Sequence, residues 1–147
     1  VIEFNARFGD PETQVVLRRL NSSLSGLLYK AATGQLETAA APEFSDDVAI
    51  TVVLASEGYP DTSAPNRPIY GLGAVENEHV EVCHAATAWA ENKDGEETLM
   101  ATGGRVLSVV ASGASFQEAR TLAYEGMSRI QLQGGHFRHD IALKVAQ

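Results

Sequence analysis

The chain has 147 residues, 44% hydrophobic and 20% charged, with 11 basic against 19 acidic side chains and a net charge of -8. That length suits one ordinary domain, or a small domain with a piece of another, and is enough to bury a real core. The acidic balance excludes a nucleic-acid backbone or an anionic membrane as main partner, because both need a basic face.

No apolar run approaches the ~20 residues of a spanning helix, and no signal peptide opens the chain. The single cysteine, Cys83, leaves no internal disulfide framework. It suits a reducing, cytoplasmic compartment.

There is no initiator Met, and Val1 opens an alternating run. Val1, Glu3, Asn5 and Arg7 point one way in a strand, and Ile2, Phe4, Ala6 and Phe8 the other. A first residue already inside a strand pattern is expected of a chain cut from a longer one. Gly9-Asp10-Pro11-Glu12 reads as a stop and restart. Asp10 suits a helix cap, Pro11 the first helical position and Glu12 the positive end of the helix dipole. Val15, Val16, Leu17 and Leu20 supply an apolar stripe before Asn21-Ser22-Ser23 re-caps a second helix. That helix is expected to bury Leu24, Leu27, Leu28 and Ala31 and to end at Gly34. Gln35 to Ser45 is small, acidic and Pro-containing, and reads as a linker.

From Asp47 the grammar changes to strands. Val48 to Ala55 is an apolar, β-branched run expected to be covered on both faces. Ser56 to Pro68 is a loop, and Ile69 to Leu72 a short strand. His79–His84 and Ala86–Ala90 alternate, and Asn92-Lys93-Asp94-Gly95 is a turn leading into Thr98–Thr102. Gly104 to Ser112 is a second buried strand. Ser115 to Leu132 reads as an amphipathic helix with Phe116, Ala119, Ala123, Met127 and Ile130 on one face. The expected architecture is α+β. Residues 1–43 read as the last strand and helices of an α/β body, and 44–147 as a small mixed-sheet module with one long packed helix.

Glu3, Asn5 and Arg7 recur at every second position, about 6.5 Å apart per step on one strand face. Two readings fit them. One is a solvated strand face. The other is a functional set, with Glu3 and Asn5 as hard oxygen donors of the kind Mg²⁺ prefers and Arg7 as a bidentate partner for carboxylate or phosphate. Asp10 and Glu12 likewise fit either helix capping or the binding of an amine. His136 and His139 stand near Asp140, but nothing completes a four-ligand metal site, so a structural tail is the better reading. His84 reads as structural and Cys83 as a small buried hydrophobe. Gly103-Gly104 precedes a strand, the wrong order for a phosphate loop. Trp89 is the only tryptophan and makes no stacking platform.

The string Glu3-Phe4-Asn5-Ala6-Arg7-Phe8-Gly9-Asp10-Pro11-Glu12-Thr13-Gln14 adds to this. Its opening resembles the metal-binding strand of ATP-grasp enzymes. Its continuation resembles the signature of one branch, the phosphoribosylamine–glycine ligase (glycinamide ribonucleotide synthetase) family. Leu54–Pro60, Val82–Ala88, Gly103–Leu107 and Phe137–Ile141 are similar to that family's C-terminal third in order and spacing. Ala86 departs from the pattern, which has glycine there.

The resemblance implies an ATP-dependent reaction in which glycine's carboxylate attacks the γ-phosphate of ATP. The amine of 5-phosphoribosylamine then captures the acyl phosphate, giving glycinamide ribonucleotide, ADP and phosphate. It implies Glu3 and Asn5 as ligands to Mg²⁺ (or Mn²⁺), and Arg7 as the catalytic and substrate-orienting cation. It also implies Asp10 and Glu12 as substrate contacts, and ATP-binding lobes outside this chain. Other ATP-grasp carboxylate–amine ligases share the Glu-Asn-Arg pattern. A non-catalytic packing or interaction module remains the alternative of a different class; it predicts those three side chains scattered into solvent.

Overall fold

The computed structural model describes residues 1–91 and 94–147. Its elements in chain order are α1 (Glu12–Arg18), α2 (Leu24–Ala32), β1 (Val48–Ala55), β2 (Arg67–Tyr70), β3 (Val80–His84), β4 (Thr87–Glu91), β5 (Glu97–Ala101), β6 (Arg105–Gly113), α3 (Phe116–Arg129) and β7 (Gln131–Leu132). The expected α+β class is what the chain adopts. Its strands divide between two antiparallel sheets, ordered β1-β6-β3 and β4-β5-β2-β7. The turn expected at Asn92-Lys93 lies outside the described residues.

The two apolar runs pair with each other, Val52 opposite Val109 and Leu54 opposite Leu107. β6 sits in the middle of its sheet, between β1 and β3. It is covered on both faces, so every residue from Val106 to Gly113 is buried. Leu107, Val109 and Ala111 join the core with Ile50, Val52, Leu54, Val80 and Val82, against Ala119, Ala123 and Met127 of α3. Burying each of the larger side chains is worth about 1.5–3 kcal/mol. Ser112 points the other way and receives the Arg18 Nε–H of α1 at 3.2 Å. β1, expected to be covered on both faces, is covered fully on one: Ile50, Val52 and Leu54 are buried, while Ala49, Thr51 and Val53 are half-buried.

The helix caps follow the local sequence. The Ser23 hydroxyl accepts the Gly26 N–H at 3.2 Å and opens α2. The Ser115 hydroxyl accepts the Glu118 N–H at 3.2 Å and opens α3, while the Glu118 carboxylate takes the Ala114 N–H at 2.8 Å. Gly34, at φ +69°, lies just past α2, where the left-handed conformation suits glycine.

Further expectations need correction. Residues 1–8 form no strand, because among the described residues no other segment pairs with them to complete a ladder, and Val1, Ile2, Phe4 and Phe8 are exposed. Their alternation names two faces but supplies no partner. α2 fully buries none of its residues: Leu24 and Leu27 are half-buried and Leu28 is exposed, with the helix lying against the Leu36–Thr38 turn. α3 ends at Arg129 rather than Leu132: Ile130 is extended, and Gln131–Leu132 pair with Tyr70 and Ile69 instead. Phe116, at the first turn of α3, stays 44% exposed rather than buried.

Candidate functional site

Glu3, Asn5 and Arg7 stand in solvent on the unpaired opening segment. The Arg7 guanidinium reaches only the carbonyl of its neighbour Phe8, at 3.4 Å. That placement fits a packing or interaction module, and equally a strand edge completed by other parts of a longer protein. Among the described residues no group of three or more His, Cys, Asp or Glu side chains could hold a metal ion. This covers the His136, His139 and Asp140 tail as well, where Asp140 is instead paired with Arg138 at 2.6 Å. Glu3 and Asn5 have the oxygen chemistry of Mg²⁺ ligands, an ion whose shell is usually completed by substrate phosphates and water.

The structured part of the motif begins at Gly9. The Thr13 N–H donates to the Gly9 carbonyl at 3.0 Å and its hydroxyl to the same oxygen at 2.5 Å, closing the first turn of α1. Pro11 occupies the cap position with no side-chain bond, so Asp10 does not cap this helix as expected. Its carboxylate is engaged elsewhere. Oδ1 accepts the Gln14 Nε2–H at 3.0 Å, and Oδ2 lies 3.3 Å from the Arg105 guanidinium. A second Arg105 N–H donates to the Asp10 main-chain carbonyl at 3.1 Å. Glu12 is exposed in the first turn, where its charge complements the dipole. The structure therefore brings Asp10 and Glu12 together at one helix start and leaves Glu3, Asn5 and Arg7 apart from them.

Beside this start lies an open cleft of about 620 Å³, lined among others by Phe8, Asp10, Gln14, Arg18, Glu81 and Cys83. Arg18 spans its floor, 3.7 Å from the Glu81 carboxylate, and also donates to the Glu78 carbonyl. Gln14 Oε1 is buried with no hydrogen-bond partner. Its identity as the oxygen follows from the other end of the amide, which must donate because a carboxylate can only accept. Burial raises the Cys83 thiol above its ordinary pKa, with the nearby carboxylates of Glu81 and Glu76 adding to the effect, so it stays a neutral thiol.

Sequence reasoning missed Arg105, Arg18 and Gln14. The available signal for Arg105 was its place after a glycine pair. The loop that follows β1 packs against that pair: the Ser56 N–H donates to the Gly104 carbonyl at 2.8 Å, and a Cβ at Gly104 would stand 2.5 Å from Tyr59 Cδ2. Ser56 is fully buried and its hydroxyl has no partner.

The chain is thus an antiparallel two-sheet module with one packed helix, preceded by a Gly-Asp-Pro-Glu helix start. Residues 49–144 match the family described as "Phosphoribosylglycinamide synthetase, C domain", and the chain belongs to that family. It is 56% identical over 146 residues to a "Phosphoribosylamine--glycine ligase" of Leifsonia xyli, covering 99% of this chain and 34% of that protein. The figure is 51% with the protein of the same name from Streptomyces coelicolor, covering 99% of this chain and 35% of that protein. A solved structure of the phosphoribosylamine–glycine ligase of Thermotoga maritima superposes with a TM-score of 0.70 at 31% identity, covering 97% of this chain and 33% of that one. The chain thus spans about a third of the length of the curated relatives it matches. Among the described residues no helix is long and apolar enough to cross a membrane.

Proposed function

We propose that this chain is the C-terminal part of a cytoplasmic, ATP-dependent ligase that joins glycine to 5-phosphoribosylamine, giving glycinamide ribonucleotide, ADP and phosphate. The observation that supports this reading above the others is that the likeness to proteins named for that reaction covers 99% of the chain, opening segment included. A module kept only for packing would need no Glu-x-Asn-x-Arg edge leading into it.

In this reading residues 1–43 close an ATP-grasp body and 44–147 form the accessory module. Glu3 and Asn5 contribute two oxygen donors to a Mg²⁺ or Mn²⁺ shell that the rest of the enzyme completes. The ion would neutralise charge on the phosphates. Arg7 holds glycine's carboxylate or the acyl phosphate by a charge-assisted fork. Asp10 and Glu12 offer carboxylate oxygens to an amine. Asp10 retains that capacity because a carboxylate has about four acceptor sites, and Gln14 and Arg105 take two.

The test is ADP release by the full-length protein that carries this chain. Release that needs both glycine and 5-phosphoribosylamine is the expected outcome. Equal release with other amino acids in place of glycine would move the reading to another ATP-grasp carboxylate–amine ligase. No ATP-dependent release with any of them would leave the packing module. The 147-residue chain alone is expected to be inactive, since it spans about a third of its relatives' length and on this reading lacks the adenine-binding lobes.

A further inference from the structure

Asp10 and Arg105 are 95 positions apart, yet the guanidinium grips Asp10 twice, at the carboxylate and at the main-chain carbonyl. A contact to both the side chain and the backbone fixes position and orientation together, which a single ion pair does not. Gln14 supports the same carboxylate from one helical turn onward. The other end of the contact is held just as firmly. Arg105 follows Gly104, whose α-carbon lies under the Tyr59 ring, and Gly103, where a Cβ would stand 2.9 Å from that of Ala86. The Ser56 N–H closes on the Gly104 carbonyl. The turn before β6 is therefore pressed between the loops that follow β1 and β3. None of its partners is a long, flexible side chain.

We propose that Arg105 is a positioning residue: the Gly103-Gly104-Arg105 turn sets where Asp10 stands so that its carboxylate receives the amine of a substrate. The proposal rests on the ligase reading above and deepens it, giving the accessory module a direct part in substrate binding. It also accounts for the crowding at Gly104, where a larger residue would displace either the Tyr59 ring or the Arg105 backbone.

The experiment uses the full-length protein. KM and kcat for glycine, 5-phosphoribosylamine and ATP are measured by ADP release in wild type, Arg105→Met, Arg105→Lys, Asp10→Asn and the double variant Asp10→Asn/Arg105→Met, with the thermal midpoint of each. Arg105→Met is expected to raise KM for one of the two amine substrates about tenfold or more, leaving KM for ATP within twofold. Arg105→Lys, which keeps the charge and loses the fork, should restore only part. The double variant should be no worse than Asp10→Asn alone, because both changes remove one function.

An unchanged amine KM in Arg105→Met would overturn the inference. So would a fall in kcat that tracks a lowered thermal midpoint, or independent, multiplying effects in the double variant. A wild-type protein that releases no ADP would instead overturn the ligase reading itself, so the two failures are separable.

Discussion

Tyr124 and Ile141 are joined through one oxygen: the tyrosine hydroxyl accepts the Ile141 N–H at 3.1 Å and donates its own proton to the Arg138 carbonyl at 2.6 Å. The ring packs near Phe137 and His139, and the Arg120 guanidinium lies 4.5 Å from its centroid. Arg120 also donates to the Ile141 and His139 carbonyls. One turn of α3 thus holds the chain from Phe137 to Ile141. Tyr124→Phe removes both hydroxyl bonds and leaves a part-buried N–H without a partner. We expect a loss of about 1–3 kcal/mol, read as a lowered urea midpoint with an unchanged slope.

Gly126 faces three valines. A Cβ there would stand 3.1 Å from Val109 and 3.2 Å from both Val75 and Val80. These are branched, buried side chains with little room to turn aside. Gly126→Val should overfill this contact and destabilise by about 1–3 kcal/mol. Gly126→Ala should do less harm, because the helix-propensity gain of about 1 kcal/mol partly offsets the crowding. Equilibrium unfolding of the two variants gives the order.

Cys83 provides a pH test. Its folded pKa is raised, mainly by burial, so the neutral thiol is favoured in the folded state relative to the unfolded chain. The stability this contributes is fully present below the unfolded value of 9.0 and is lost as pH rises through the higher folded value. Iodoacetamide labelling of the folded chain should therefore reach half its maximal rate above pH 9.0, and Cys83→Ser should flatten the alkaline fall in stability.

Glu3→Ala in the full-length protein tests the metal assignment. Loss of an outer-shell partner alone typically costs 10–100-fold, so removal of a direct carboxylate ligand should lower ligation by about a hundredfold or more. Excess Mg²⁺ should recover only part of that. Near-normal turnover would take Glu3 out of the shell.

The core was legible because the signals that specify it are local. Val48–Ala55 and Gly104–Ser112 carry runs of branched apolar residues, and Ser23 stands where helix entry needs a hydroxyl. The opening segment misled for a physical reason. Alternation at Val1–Phe8 states which side chains share a face, but a strand exists only where another strand donates and accepts beside it. The same holds for Leu24, Leu27 and Leu28, whose stripe is real but only partly covered here. The glycine pair marks the turn at Arg105, but its contact with Asp10 was unreadable for the opposite reason. Asp10 is brought to it by the meeting of distant loops, and no spacing near either residue records that. Ile130 shows local pattern losing outright: its place on the helical stripe is overridden when the next two residues close the sheet against β2.

The pairing of β1 with β6 has a consequence for how the molecule is made. Val48 opposes Gly113, so β1 must wait for nearly all the intervening chain before its ladder is complete. β2 pairs sooner with β5 but waits nearly as long for β7, and the Ala55–His136 bridge spans the greatest separation of these. Such distant pairings make for slow assembly. Throughout that delay Val-Ala-Ile-Thr-Val-Val-Leu-Ala is a bare, uncharged segment of high β-propensity, the sort that recruits copies of itself. Crowded synthesis is therefore the moment at which this chain is most exposed to misassociation, and a chaperone that shields this one segment would protect it most.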